Sequence, residues 1–239
     1  MPVKQRTSND SRAGGPTIAT AVYDQIRRDI ITGVLSPGFK LGSTSLRERY
    51  NVGISPVREA LNRLAAEKLV CFEDQKGFHV AGIGSEDLAD LIRTRFWIEE
   101  IVLRESIANG DDAWEDAIVL AYHRLSKTPR SASVDSYAFN PEWEKLHHAF
   151  HGAILGNCGS PRMLAYCDLL ADQANRYRQL AASLSYPNRS ESDEHHELME
   201  AAIARDVERA VALHHAHLGR TNDIVVESGL SLPTSNISL

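Results

Sequence analysis

The chain has 239 residues, 43% of them hydrophobic, and a formal net charge of −6. This length allows one large domain or two modest ones, each with a buried core. The charge is uneven, because residues 1–80 hold 12 lysines and arginines against 8 acidic residues, whereas residues 81–239 hold 14 against 24. A mildly basic N-terminal part followed by an acidic remainder is compatible with an N-terminal domain that binds nucleic acid.

The three cysteines, Cys71, Cys158 and Cys167, show no paired spacing, so neither a disulfide framework nor a zinc ribbon is expected. No apolar run approaches the ~18 residues that a membrane span requires, and no signal-peptide-like segment begins the chain. The sequence therefore predicts a cytoplasmic protein with no membrane partner.

The first 16 residues are polar and are predicted to be a disordered tail. A first helix is expected from Thr17, because Ile18, Val22, Ile26 and Ile30 recur every four residues as one buried stripe requires. Gly33 ends this helix. A short helix marked by leucines and a tyrosine follows, and then the tight turn of residues 51–53.

The next helix is the candidate DNA-recognition helix of the N-terminal domain. Ser55 is expected to cap it, Pro56 suits its first turn, and Glu59 complements the helix dipole. Its apolar stripe leaves Arg58 on another face, free to meet phosphates and bases. Two short β-prone runs follow around residues 73–77. Residues 17–82 thus predict a winged helix-turn-helix, in which one helix braces a second that lies in the DNA major groove.

Helical periodicity continues through residues 85–228 after a short glycine-bearing linker. About six helices are predicted, with a polar loop at residues 128–139, and they should form an antiparallel bundle. Residues 229–239 are predicted to be a second disordered tail. The expected helix starts are Ser85, Asp111 or Asp112, Asn140-Pro141, Ser160-Pro161, Ser190 or Ser192, and Val207.

Eight of the ten histidines lie between His147 and His217, all on predicted helices of the bundle. His147 and His151 are four residues apart and share a helix face, the geometry that two imidazoles need to reach one ion. His195 and His217 lie on the last two helices. Imidazole suits Zn, Ni, Cu or Fe. A metal hydrolase is the alternative interpretation of this cluster, but no HExxH arrangement is present, so we do not expect an enzyme.

Several motifs resemble those of a known family. Residues 30–38, 46–50, 55–64 and 67–70 are similar to the winged-helix signature of GntR-family transcriptional regulators. His147-x-x-Phe150-His151, Glu194-His195-His196-Glu197-Leu198 and His217-Leu218 resemble the markers of the all-helical FCD effector domain of the FadR-type branch. One difference is Ile54, which stands where many members have an arginine. The fold class expected is mostly α, with an N-terminal winged helix-turn-helix followed by an FCD-type antiparallel bundle.

The resemblance implies a homodimer that presents two recognition helices to a palindromic operator in double-stranded DNA. Metal binding in such domains uses an aspartate and three histidines, at positions matching His147, His151, His195 and His217, so here His147 replaces the aspartate. A neutral nitrogen ligand in place of the carboxylate makes the set of four ligands softer, which favours a divalent transition metal, Zn or Ni. The expected DNA contacts are Thr44, Arg47, Ser55, Arg58, Lys76 and Gly77.

The resemblance also implies a small carboxylate effector. Arg95 matches a family arginine that holds the effector's carboxylate, and Arg176, Tyr177 and Arg178 are further candidates. Within the branch, several stretches resemble those of glutarate-responsive repressors: residues 55–61, 75–80, 147–151, 176–178 and 204–206. This resemblance implies a short dicarboxylate such as glutarate. We therefore expect a repressor whose operator binding is relieved by the effector.

Overall fold

The computed structural model describes residues 17–228. The two predicted tails, residues 1–16 and 229–239, lie outside the described residues. Helix α1 spans Ile18–Ile31, α2 Ser43–Tyr50 and α3 Ile54–Ala66, and strands β1 and β2 span Val70–Glu73 and Gly77–Val80. We call residues 17–82 the head.

The head is a winged helix-turn-helix, as predicted. Thr17 caps α1 with its hydroxyl, which accepts from the backbone N–H of Thr20 at 3.2 Å. The hairpin of β1 and β2 is antiparallel with Val70 opposite Val80, and a single bridge joins Lys40 to the same sheet. Apolar stripes of all three helices meet the hairpin in one buried core. This core holds the recognition helix α3 against α1.

Two helix starts differ from the prediction. Helix α3 begins at Ile54 with Gly53 as its N-cap residue, so Ser55 is exposed within the first turn and does not cap the helix. The left-handed Asn51 (φ 52°) ends α2, and the backbone is already extended at Gly53, which moves the helix start forward. Gly84 is likewise the N-cap of the following helix, with no side-chain cap from Ser85.

The rest of the described chain is the bundle, residues 85–228, with six helices as predicted. Helix α4 spans Ser85–Ala108, α5 Asp112–Ser126, α6 Pro141–Leu155, α7 Pro161–Ser185, α8 Glu191–Ile203 and α9 Val207–Glu227. Side chains of Asp111, Asn140, Ser160 and Asp206 cap four of them. Residues 128–139 contain neither helix nor strand. Within residues 17–228, no helix is both long and apolar enough to cross a membrane.

Contacts between α7 and the head set the relative position of the two parts. The guanidinium of Arg176 donates to the carbonyl of Ala81 at 2.6 Å, and the hydroxyl of Tyr177 accepts from the N–H of Gly84 at 2.9 Å. Arg27 of α1 forms an ion pair with Asp172 of α7. The head therefore lies against the same helix that borders the centre of the bundle.

Candidate metal and effector site

Four histidines meet inside the bundle. His147 and His151 lie one turn apart on α6, His195 comes from α8 and His217 from α9. One ring nitrogen of each lies within 4.8 Å of the other three. The Nε2 atoms of His147 and His151 are 3.2 Å apart. The structure thus brings together the four side chains that the sequence had nominated as metal ligands.

The environment keeps these imidazoles neutral. Burial lowers the pKa of His147, His151 and His195 well below its ordinary value, and neighbouring positive charges add to the effect. For His147 the largest such charge is Arg178. Burial also lowers the pKa of His217, although its hydrogen bond to Glu194 opposes this. Neutral imidazole is the form that binds a metal.

The geometry fits a transition metal ion. Two imidazoles that share a tetrahedral ion at ~2.0–2.1 Å place their nitrogens roughly 3.3 Å apart, close to the 3.2 Å between His147 and His151. Within residues 17–228, Nε2 of His195 is buried without a hydrogen-bond partner. A buried ring nitrogen without a partner is costly, and an ion at the centre of the cluster would satisfy it by accepting its lone pair.

Carboxylates and arginines surround the imidazoles. Nδ1 of His217 lies 2.7 Å from a carboxylate oxygen of Glu194, and Arg189 holds the same carboxylate at 2.6 Å. Burial raises the pKa of Glu194, but hydrogen bonds from Arg189 and His217 bring it down to about 2. A charged Glu194 orients the His217 ring with its Nε2 toward the cluster, an arrangement common around metal-bound histidines.

A cavity of about 810 Å³ opens beside the histidines. Its wall includes His147, His151 and His217 together with Arg95 and Arg178. A volume of this size suits a small ligand, because such sites commonly enclose ~300–1,000 Å³.

Arg95 lies almost buried in the cavity wall. Its Nε donates to Glu99 at 2.6 Å, and the imidazole of His214 contacts the other oxygen of Glu99 at 2.7 Å. Burial raises the pKa of Glu99, but Arg95 and His214 together lower it to about 2. Glu99 therefore stays charged and holds the guanidinium in place at the cavity wall.

Arg178 contacts both the cluster and the cavity. One terminal nitrogen lies 3.0 Å from Nδ1 of His147, and the other donates to Glu144 at 2.5 Å. Glu144 also accepts from Arg130 and Gln179, both at 2.8 Å. These contacts fix Arg178 between the histidines and the open space.

Arg176 and Tyr177, the other two effector-binding candidates, do not line the cavity that borders the histidines. Successive residues on a helix differ in direction by about 100°, and these two point toward the interdomain linker while Arg178 points inward. Arg176 bonds to Ala81, and Tyr177 bonds to Gly84 and Asp87. Their observed role is to fasten the linker to the bundle.

The residues nominated for DNA contact lie on the head. Thr44, Arg47, Ser55 and Arg58 are exposed on α2 and α3, and Arg47 and Ser55 border one shallow depression at the turn between these helices. Lys76 is exposed at the tip of the wing, where its ammonium pairs with Glu73 at 2.5 Å. Gly77 has φ of +85°, a conformation that glycine adopts without strain.

Sequence reasoning missed several members of the site. Glu144 and His214 act through Arg178 and Glu99, and Glu194 was noted only as part of an FCD-like motif, without a role beside His217. The spacing of Arg95 and Glu99 by four residues indicated their pairing. No local pattern indicated that Arg27 and Asp172, 145 positions apart, would meet.

Comparisons with known proteins agree with this architecture. Residues 18–80 match the model of bacterial regulatory proteins of the gntR family, and residues 90–220 match the FCD domain. The chain is 36% identical to the HTH-type transcriptional regulator BphR of Paraburkholderia xenovorans, over 90% of this chain and 87% of that protein. It is 36% identical to the HTH-type transcriptional repressor GlaR of Escherichia coli, over 82% of this chain and 90% of that protein.

The solved structure of E. coli McbR shares the fold, with a TM-score of 0.72 and 19% identity over 90% of this chain and 100% of that one. The family and the similar proteins are regulators, so the comparisons confirm that the chain is not an enzyme and do not support the hydrolase alternative. The chain belongs to the GntR family of bacterial regulatory proteins, is a DNA-binding transcriptional regulator, and has an FCD domain as its effector-binding part.

Proposed function

We propose that this regulator is a homodimeric repressor whose operator binding is relieved by a small carboxylate, with a dicarboxylate such as glutarate as the first candidate. The observation that carries this proposal is the cavity whose wall combines three of the clustered histidines with Arg95 and Arg178. GlaR of E. coli, to which the chain is similar, is named a repressor, which supports repression rather than activation. Because the target is chromosomal DNA, cytoplasmic location is part of the proposal.

His147, His151, His195 and His217 would hold a divalent transition metal, Zn or Ni. The ion, when bound, would supply a positive charge that attracts a carboxylate in the adjacent cavity. Burial lowers the pKa of the imidazoles and so keeps their nitrogens unprotonated, which is the form that binds a metal. Glu194 and Arg189 hold the His217 ring in its orientation.

Arg95 and Arg178 would bind the effector's carboxylate. Arg95 donates to Glu99 through Nε and one terminal nitrogen, which leaves its other terminal nitrogen available to a ligand. Both guanidiniums are oriented by buried carboxylates, so little side-chain entropy is lost when a ligand binds. A cavity lined by such pairs selects an anion that can satisfy their remaining N–H donors.

In the head, Arg58, Ser55, Thr44 and Arg47 would contact DNA in the major groove, with Lys76 and Gly77 of the wing on the adjacent backbone. All but Gly77 are exposed. The effector would bind one arrangement of head and bundle better than the other and so move the population away from the DNA-bound form.

The proposed dimer would use α4. Trp97 is 64% exposed and Ile101 57% exposed, and Arg93 and Glu105 continue the same face one turn to either side. These four positions are symmetric about residue 99. Two antiparallel copies would therefore place Trp97 on Ile101 and Arg93 on Glu105, which is the self-complementary surface that a twofold axis requires.

The experiment combines ligand binding with DNA release. Purified protein loaded with Zn or Ni is heated with a panel of short mono- and dicarboxylates, and operators are obtained by selecting bound genomic fragments. An acid that raises the unfolding midpoint and also releases the selected DNA supports the proposal. The proposal is contradicted if no acid stabilises the protein, or if an acid stabilises it without affecting DNA binding. Chelator-treated protein is the matched control for the role of the metal.

A further inference from the structure

The effector cavity is bounded by the DNA-binding head as well as by the bundle. Asp24, Arg27, Arg28 and Ile31 of α1 line it together with the bundle residues. Helix α1 also packs along the recognition helix α3. Tyr23 strengthens this contact by donating to Glu67 just beyond α3 at 2.8 Å. A ligand in the cavity therefore lies against the helix that supports the recognition helix.

One interdomain ion pair crosses the cavity wall. Arg27 of α1 bonds to Asp172 of α7, and their side chains are 26% and 27% exposed. The other arginine pairs of the wall are more buried and have further partners, because Glu99 is also held by His214 and Glu144 by Arg130. Among the described residues, Arg27 is the hydrogen-bond partner found for Asp172. This pair is therefore the one that an entering carboxylate can break at the lowest cost.

We propose that Arg27 is an effector-contacting residue, and that the far carboxylate of a dicarboxylate effector displaces Asp172 from it. This inference rests on the proposed function, because it requires a carboxylate whose other end lies near the histidines, Arg95 and Arg178. The guanidinium of Arg27 exchanges one carboxylate partner for another, so no charge is left unpaired at the head. Asp172 is released to water at the cavity's edge.

The exchange has a direct consequence for regulation. In the effector-free protein Arg27 of the head is bonded to Asp172 of α7, whereas in the complex Arg27 is bonded to the ligand. A monocarboxylate of similar size can occupy the end near the histidines but leaves the bond between Arg27 and Asp172 intact. Dicarboxylates should therefore bind more tightly than monocarboxylates and should act on the head, and the optimal chain length is the one that reaches Arg27.

The test compares two substitutions that break the same ion pair. Arg27→Gln removes the group that receives the ligand, whereas Asp172→Asn removes the ligand's competitor. Glutarate and butyrate are titrated into full-length, metal-loaded protein by calorimetry. We expect Arg27→Gln to weaken glutarate binding about tenfold and Asp172→Asn to strengthen it by up to about tenfold, since one charge-assisted hydrogen bond of ~1.4 kcal/mol corresponds to that factor. Butyrate binding should change little in either variant.

A purely structural ion pair would give a different result. If both substitutions changed glutarate affinity in the same direction, or neither changed it, the inference would be overturned while the proposed function stood. If wild-type protein bound no dicarboxylate, the inference would be overturned, and if it bound no carboxylate at all, the proposed function would be overturned as well. Arg104→Gln is the matched control, because it breaks the ion pairs with Glu100 and Glu208 on the bundle surface and lies outside the cavity lining. Thermal unfolding of each variant verifies that it is folded.

Discussion

Arg178 donates a hydrogen bond to Nδ1 of His147 at 3.0 Å. A guanidinium has only donors, so Nδ1 must be the acceptor and the proton of the neutral ring must lie on Nε2. A ring that binds a metal through Nε2 carries its proton on Nδ1 instead, facing the guanidinium. Metal binding at His147 and this hydrogen bond therefore compete. An aspartate, which the family resemblance places at this position, could accept a hydrogen bond from an arginine and bind an ion at the same time.

This competition predicts the effect of Arg178→Gln. Removing the guanidinium takes away a positive charge and a competing donor, so metal affinity should rise by roughly threefold to tenfold. Effector affinity should fall about tenfold, because a charge-assisted hydrogen bond is lost. Competition with a chelator measures the first quantity and calorimetry the second. Weaker metal binding in the variant would show that Arg178 supports the histidine cluster instead of competing with it.

His195→Ala should weaken binding of Zn and Ni by about tenfold to a thousandfold, since it removes one of four ligands from a buried site. The readout is metal content after dialysis, together with the rise in unfolding midpoint when metal is added. His123→Ala is the control, because His123 is an exposed histidine on α5 outside the cluster. Equal metal content in the two variants would rule out the site.

The stability of the metal-free protein should fall as the pH drops below about 6.5, the ordinary pKa of histidine. The folded-state pKa values of His147, His151 and His195 are depressed, so the unfolded chain binds more protons in this window. A second decline should follow between about 4.5 and 2, where Glu99 and Glu194 become protonated. Denaturant titrations across pH measure both declines. Stability that stays constant between pH 7 and pH 5.5 would contradict the buried, neutral cluster.

Arg58→Ala should weaken operator binding about tenfold or more without changing the unfolding midpoint, because Arg58 is exposed on the recognition helix. Arg162→Ala is matched in charge and lies exposed at the start of α7 in the bundle. Gel-shift titrations with selected DNA should separate the two variants. Equal loss in both would mean that only net charge matters and would refute the assignment of Arg58 as a base or phosphate contact.

Trp97→Glu should convert the dimer to a monomer, because it places a charge at the centre of the proposed twofold contact. Sedimentation velocity measures the change. Tyr166→Glu is the control, since Tyr166 is 59% exposed on α7 and is not one of the four α4 residues of the proposed contact. A dimeric Trp97→Glu protein would place the interface elsewhere.

Local sequence signals were sufficient for much of the fold. Four-residue spacing in α1 and the residue pairs Asn140-Pro141 and Ser160-Pro161 predicted helices that the structure contains, because periodicity and capping depend only on neighbouring residues. The predicted N-cap, Ser55, lies two residues after the observed N-cap, Gly53, because the turn before α3 determines where that helix begins. The spacing of His147 and His151 likewise identified one face of the cluster.

The direction in which each side chain points, and the distant residues that it contacts, could be known only from the tertiary structure. Arg176, Tyr177 and Arg178 are neighbours in sequence, yet only packing shows that the first two hold the linker while the third enters the cavity. The sequence by itself determined the helices, the recognition motif and the four histidines, because short-range geometry and side-chain chemistry specify them. Only the tertiary structure decided that Arg27 of the head meets Asp172 of the bundle, because that contact depends on how two separately folded cores pack together.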